Sequence, residues 1–598
     1  MARLRSNSGN SPKGITHIMK TEVMVMKKKV LSMFLASAMA LSIVACGSEG
    51  GGATTETPAA TTETPAATTE TQAEAPAAEP ETASELTDGK FADTRKITVE
   101  IYDRGNDGGS DPENNMYTEY IKKGMLEEHN VEVTFKKVPR WTEVDDINNL
   151  LAAGEAPDIC VTYSYPTVLT YAQMGGVIDL QDLIEQYKAD TPNLWNWLGD
   201  QNMLWDKDPK TGEVWALEGR RAEQQRIVTF VRQDWLDALN MKAPTTTQEF
   251  EDMLVAFRDN ADTLLGKDAS KMVPFSTSYD VGWRASNIIT SFMDPKITDK
   301  EYYINGFDDR AVTQASTKEA VKLLNKWYND GLMWKDFALY GSGDTTEDDM
   351  IKAGYVGAFQ HNWDYVFRNG EDSINSNLQR NVGPDAKFVP VDCFQNADGK
   401  YAKWLYSSAG DRKLFFPTTN TEPLASLLYL DFISKPETIK YLQAGDEGVT
   451  HEVLESGAIQ IIAAEGDAIQ NSGKNIDYTI TCNGTYFGDQ KLADLSIAYG
   501  YAGQDPELVS AADKISKADG LEPKNVNVGV IEAEAGVGDT LSAKRDQVYD
   551  QAVVASTADF DAVWEAGIAD YLSAGGQAII DERTAKWAEY FGDADMLP

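Results

Sequence analysis

The chain has little of what redox and metal sites are made from. Its 598 residues include 4 Cys and 4 His. Setting Cys46 aside leaves Cys160, Cys393 and Cys482, an odd number with no CxxC spacing, so neither a zinc knuckle nor a dithiol pair is visible. Isolated buried thiols are the favoured reading and one disulfide the alternative. His451-Glu452 lacks the second histidine of a zinc-protease helix. A GxSxG elbow, a P-loop and a GxGxxG turn are missing as well. No cofactor or metal is indicated. The one candidate, Asp206-Lys-Asp208-Pro-Lys-Thr-Gly212, opens like a calcium loop but lacks its later acidic ligands. A tight turn before Glu213–Leu217 explains it better, with a structural calcium as the alternative.

Positive charge is scarce too. The formal charge is −40. Residues 1–46 hold seven Lys/Arg and one Glu, which leaves 47 basic against 93 acidic residues beyond them, a net charge of −46. That sign argues against nucleic acid, since phosphate binding needs clustered Lys and Arg. It argues equally against adhesion to an anionic membrane surface.

What is present begins at Met26. Lys27, Lys28 and Lys29 precede a 15-residue apolar run, Val30–Val44, which ends in Ile43-Val44-Ala45-Cys46-Gly47. A basic n-region, a short apolar h-region and small residues at the cut describe an export signal. A spanning helix needs ~20 residues. The last four residues resemble the lipobox of bacterial lipoproteins, which implies lipid on Cys46, and two acyl chains anchor stably where one is marginal. Residues 1–45 therefore read as a signal peptide whose start is over-extended, with Met26 the expected initiator. Residues 46–90 carry the repeat Thr54–Ala60 (TTETPAA), again at Thr61–Ala67, with almost no apolar side chains. Such a segment cannot offset its ordering entropy and reads as a tether. As a flexible coil of ~44 residues it would reach ~35–40 Å.

The remaining ~500 residues are too many for one core. Ile97, Val99 and Ile101 alternate in a half-buried strand, Asn115–Asn130 is helical, and Val131–Lys137 alternates again. Trp141–Ala153 forms a helical face stopped by Gly154, and Asp158–Thr162 is a third strand. The order β-α-β-α-β predicts a parallel, doubly wound sheet. A second lobe starts near Ile227, with a strand at Val228–Val231 and a short helix from Asp234 to Leu239. Thr246 and Glu249 then suggest a capping box ahead of Phe250, Leu254 and Phe257. The expected division is 91–226 for lobe 1, 227–390 for the main part of lobe 2, and 391–598 shared between them. The helical segments Leu424–Ile433 and Ala562–Ala574 have no lobe assignment from pattern alone, and no role is assigned to 485–545.

In open α/β sheets ligands bind beyond the carboxyl ends of strands. That rule selects Tyr102, Asp103 and Arg104 after the first strand, Arg140 and Trp141 after the second, and Tyr163, Ser164 and Tyr165 after the third. In lobe 2 it selects Tyr279, Asp280, Trp283 and Arg284, then His361, Asn362, Trp363 and Asp364. Aromatic rings that stack on sugar C–H faces, beside polar groups for the hydroxyls, suit a carbohydrate. Any one of these rings taken singly is more simply explained by packing; Trp283 and Trp363 stand out for their polar neighbours.

Several stretches resemble the family 1 extracellular solute-binding proteins of bacterial ABC importers, most closely the large lipoprotein subgroup associated with oligosaccharide uptake. Leu150-Leu-Ala-Ala-Gly-Glu-Ala-Pro-Asp158-Ile is similar to the family's GxxPDI junction. Val231-Arg-Gln-Asp-Trp-Leu-Asp-Ala-Leu239 with Pro244–Phe250 is similar to its RxDWLDxLGxxxPxTxxEF signature. Gly357–Trp363 and Gly445-Asp-Glu-Gly448 match shorter segments. The resemblance implies a type II periplasmic-binding-protein-like α/β fold, with two lobes joined by a hinge and the ligand in the cleft between them. It places Trp363 where the family commonly presents an aromatic to its ligand. It implies a lipid-anchored monomer on the extracellular face of a cell membrane, in a Gram-positive envelope, that delivers carbohydrate to ABC permease subunits without chemistry. The alternatives are a surface-anchored carbohydrate-active enzyme, or the same fold binding peptide or serving a sensor.

Overall fold

The computed structural model describes residues 85–598, apart from 106–108, 279, 307, 342, 409, 473, 524–525 and 598. Cys46, the signal segment and residues 46–84 of the expected tether lie outside the described residues, as does Tyr279; residues 85–90 of that span are instead folded, Leu86–Thr87 pairing with Lys90–Phe91 and burying Leu86 and Phe91 on the lobe 1 core. Among the described residues no helix is long and apolar enough to cross a membrane.

Nine strands matter for the site. In chain order they are β1 (Arg95–Asp103), β2 (Val131–Pro139), β3 (Cys160–Thr162), β4 (Leu217–Glu218), β5 (Ile227–Arg232), β6 (Val273–Ser276), β7 (Val356–Asn362), β8 (Phe388–Val391) and β9 (Lys413–Phe415). β1 and β2 run parallel in register from Arg95 opposite Val131 to Asp103 opposite Pro139. Val99 bridges in parallel to Ile159, just ahead of β3. β9 lies antiparallel between β3 and β4. The first sheet therefore has the order β2-β1-β3-β9-β4. In the second, β5 is antiparallel to β7 and β8, β7 is parallel to β6, and Met333 bridges to Phe275 on the far side. That sheet reads Met333-β6-β7-β5-β8.

The two orders are the same: second, first, third, antiparallel, fourth. In each lobe the antiparallel strand is the one delivered from the other lobe, β5 through residues 219–226 and β9 through residues 392–412. The parallel core matches the β-α-β-α-β pattern. The antiparallel insertion differs from the doubly wound expectation, because three residues (Lys413-Leu-Phe415) carry no periodicity to read.

Local chemistry explains the element boundaries. The helix α1 (Met116–His129) starts under a capping box in which the Asn115 side chain accepts from the Thr118 amide and Thr118 Oγ1 accepts from the Asn115 amide. It ends where Asn130 turns left-handed. The next helix, α2 (Glu143–Ala153), stops at Gly154 with φ +70. The expected capping box of α3 (Thr247–Asp259) is only half formed. Thr246 Oγ1 accepts from the Glu249 amide, but the Glu249 carboxylate takes the amide and hydroxyl of Thr245 instead.

Two cores result. Lobe 1 packs Ile97, Tyr117, Val133, Leu194 and Leu217 with Leu414, Leu428 and Tyr478. Lobe 2 packs Phe230, Phe250, Phe275, Trp327 and Phe359 with Val509, Trp564 and Trp587 from the C-terminal helices. Residues 413–483 thus return to lobe 1, and the helices from Pro506 onward build lobe 2. The RxDW stretch is structural: Arg232 has no exposed surface, grips Asp234 through Nε and Nη2 at 2.8 and 2.6 Å, donates to Gly354 O and lies over Trp235. Cys160, Cys393 and Cys482 are buried free thiols.

Candidate functional site

Three segments cross between the lobes, 219–226, 392–412 and 484–505, and the first is stitched to the second and to the lobe 1 residues 481–483 that lead into the third. Gly219 N donates to Arg412 O, Arg221 N to Ser408 O and Tyr406 N to Gln224 O on one edge. Arg220 N donates to Thr481 O and Ala222 N to Asn483 O on the other. Alternation along this ribbon sends Arg221 to Asp411 and the ring of Tyr406, and Glu223 to Lys474. Arg220 goes the other way, over Trp197, into a cavity of about 220 Å³ shared with Gln224, Ser408, Gln490 and Asp494.

The carboxyl ends of β1, β2 and β3 meet in one ledge. Pro139 stops β2, and one turn of 3-10 helix sets Arg140 so that its guanidinium lies 4.6 Å from the centre of Tyr163, 5.1 Å from Tyr102 and 5.3 Å from Trp141. Arg140 pairs with Glu143 at 2.9 Å. Tyr102 and Tyr163 are stacked 6.3 Å apart. Trp141 is 59% exposed. Below, buried Arg412 donates to Tyr163 Oη at 2.8 Å and pairs with Asp477 at 3.3 Å. Arg104 makes a two-pronged pair with that same Asp477, at 2.7 and 2.9 Å. Burial alone would raise the Asp477 pKa, but Arg104 and Arg412 more than offset it and hold the carboxyl below its ordinary value. Burial drives Glu100, which accepts from Val161 N, well above the usual carboxylate range. Arg140 with Glu143, and Arg104 and Arg412 with Asp477, thus set charged pairs directly beside the two tyrosine rings. A pocket of about 150 Å³ opens beside them, lined by Tyr102, Asp103, Arg104, Asn471, Ser472 and Asp477. Asp103 also accepts from Gly105 N. Tyr165 stays apart; it packs on the small cluster of Val138, Ile147 and Val168.

In lobe 2 the strand ends are more occluded. Trp283 lies edge-on to His361, which stacks on Tyr365 at 3.4 Å. Burial, then Arg284 and Arg368, holds His361 well below its ordinary pKa. The Asn362 amide donates to His361 Nδ1. Trp363 is only 3% exposed; its amide donates to Arg226 O and its ring meets Tyr501 edge-on at 6.0 Å. Asp364 accepts from Arg368 and from Tyr501 Oη. The Asp206–Gly212 stretch is a turn in which Asp208 Oδ1 accepts the amides of Lys210 and Thr211.

Strand-end reasoning thus finds Tyr102, Arg140, Trp141 and Tyr163, which the fold brings together. It misses Arg412, Asp477, Lys474, Glu223 and Tyr501. These come from crossing segments and returning loops, with no local pattern to mark them.

No family model matches this chain. The fold is that of the solute-binding proteins of ABC transporters. The ABC-transporter substrate-binding protein FusA of S. pneumoniae, solved with kestose, superposes with a TM-score of 0.59 at 13% identity, covering 84% of this chain and 100% of that one. The alginate-binding protein AlgQ2 without calcium superposes at 0.55 and 17%, covering 83% and 98%. Among curated proteins, the polygalacturonan/rhamnogalacturonan-binding protein YtcQ of Bacillus subtilis (strain 168) is 26% identical over 331 residues, 54% of this chain. Lipoprotein LipO of the same organism is 26% identical over 227 residues, 37% of this chain. The matches span 61% and 42% of those two relatives' lengths.

Proposed function

We propose that this protein captures an acidic oligosaccharide outside the cell and hands it to an ABC permease, without chemistry of its own. The observation that carries this reading is the ledge: an exposed indole beside a guanidinium held between rings, with Arg104 and Arg412 converging on Asp477 next to it. Aromatic faces suit sugar C–H surfaces and guanidinium forks suit carboxylates. The relative that binds polygalacturonan and rhamnogalacturonan supports the same ligand class. Lipid on Cys46 would hold the monomeric receptor near its permease, and a relative called a lipoprotein supports that too.

The test is a thermal-shift and calorimetric panel of oligogalacturonates, matched neutral oligosaccharides and peptides. Ligand at ~100 times Kd should stabilise by ~2.7 kcal/mol, with oligogalacturonate strongest and weakened by salt. Peptides shifting the protein while sugars do not would overturn the reading. Release of new reducing ends during incubation would turn it toward an enzyme. For the anchor, radiolabelled palmitate should enter the wild-type chain and not Cys46→Ser.

A further inference from the structure

Between the ledge and lobe 2 lies a second set of polar groups that ligand contact alone does not explain. Lys474 belongs to the lobe 1 stretch that also supplies Asp477. Its side chain is 7% exposed, and Nζ sits 3.1 Å from Glu223 Oε1 and 3.4 Å from Tyr501 Oη. The ammonium also lies over the Tyr501 ring, 4.7 Å from its centre. Tyr501 Oη donates to Asp364 at 2.7 Å, and Asp364 holds Arg368. These residues come from different parts of the molecule: Lys474 from lobe 1, Glu223 and Tyr501 from two crossing segments, and Asp364 from the end of β7 in lobe 2. Gly500 borders the lysine, and a Cβ there would be in ordinary contact with its Cε and Nζ at 3.4–3.5 Å.

The backbone carrying Lys474 is strained. Ser472, Lys474 and Asn475 all have positive φ, at 49, 72 and 55. Non-glycine residues keep such geometry only where their surroundings over-determine it. Here Asn475 donates to Leu442 O and accepts from the Asn471 amide, while Asn471 Nδ2 donates to the buried Tyr478 hydroxyl. The same short stretch therefore presents Asp477 to Arg104 and Arg412 on the ledge, and Lys474 to the crossing segments. Asn471 and Ser472 line the 150 Å³ pocket itself.

We propose that Lys474 is the positioning residue that couples occupancy of the ledge to lobe closure. The inference rests on the cleft being the ligand site. A ligand touching Arg104, Ser472 or Asp477 bears on the strained stretch, and Lys474 passes that bias through Tyr501 to Asp364 in lobe 2. Coupling of this kind requires an element whose state both sites bias. The five-group chain from Glu223 to Arg368 provides it, because lobe opening separates Lys474 from Tyr501.

The test measures interlobe distance by pulsed electron resonance. Nitroxides are placed at Glu127→Cys in lobe 1 and Lys267→Cys in lobe 2 of the full chain, with Cys46→Ser, since the other three thiols are buried. Without ligand, Lys474→Met should lengthen and broaden the distance distribution relative to wild type, and Lys474→Arg should restore it. With oligogalacturonate, wild type should narrow to the short distance; Lys474→Met should bind within about tenfold of wild type yet stay broad. Tyr501→Phe, which removes only the hydroxyl, should repeat the defect and serves if Lys474→Met does not fold. Unchanged distributions in both variants overturn the proposal. If wild type ignores every saccharide, the ligand reading fails, and the ligand-free comparison still decides the role of Lys474.

Discussion

Replacing Trp141 by alanine should cost affinity and leave folding intact. The indole is 59% exposed. A tryptophan side chain offers up to ~250 Å² for burial, so ~150 Å² remains open here, and one sugar ring would cover about half of that. At ~25 cal/mol per Å², the ~75 Å² involved corresponds to ~2 kcal/mol, or roughly a 25-fold rise in Kd. Loss of the Arg140 contact at 5.3 Å adds little, because Arg140 keeps Tyr102, Tyr163 and Glu143. Calorimetry with an oligogalacturonate reads the affinity, and the thermal midpoint reads the fold. Exposed positions away from caps and cores shift stability by less than about 0.5 kcal/mol. A change in Kd below threefold would remove Trp141 from the site. A clear fall in the melting temperature would show that the indole supports the lobe instead.

Trp363→Ala should behave in the opposite order: its ring is 3% exposed in the lobe 2 core, so ~3–5 kcal/mol of stability should go, seen as a lowered denaturation midpoint; an unchanged midpoint would contradict the packing described. Burial, then Asp546 and Asp280, pushes the Asp550 carboxyl up to about 7. The folded state thus prefers the protonated form, so its contribution is full below pH ~4 and is lost as pH rises towards 7. Asp550→Asn should therefore stabilise at pH 8 by roughly 1–2 kcal/mol, after allowance for partial solvent access, and change nothing near pH 4; a gain at both pH values would mean the charge is not the cause. Cys160, Cys393 and Cys482 are buried apart from one another, and burial raises each thiol pKa. In a Cys46→Ser chain, a thiol reagent should find none of the three quickly in the native state and all three in denaturant; rapid native labelling would place a thiol at the surface.

How much was legible depended on whether the signal was local. β1 and β2 showed in the alternation of Ile97, Val99 and Ile101 and of Val133 and Phe135, because a half-buried strand writes its two faces into neighbouring residues. The turn at Gly154 and the helix through Phe250, Leu254 and Phe257 were visible for the same reason. β9 was not, since Lys413-Leu-Phe415 becomes a strand only by being laid between β3 and β4. The RxDW stretch was legible as a signature, but its role in burying Arg232 against Gly354, 122 residues away, was not.

By itself, then, the sequence determined the parallel strands, their capping helices and the side chains at their carboxyl ends, all of which follow from steric and hydrophobic preferences within a few residues. Tertiary structure alone decided which of those side chains share a site. Arg140, Tyr163, Arg412 and Asp477 span more than 330 positions, and their charges matter only at the few ångströms that folding imposes. It also decided that Trp141 stays open while Trp363 is covered by Tyr501, a difference of burial between two tryptophans that look alike in the chain.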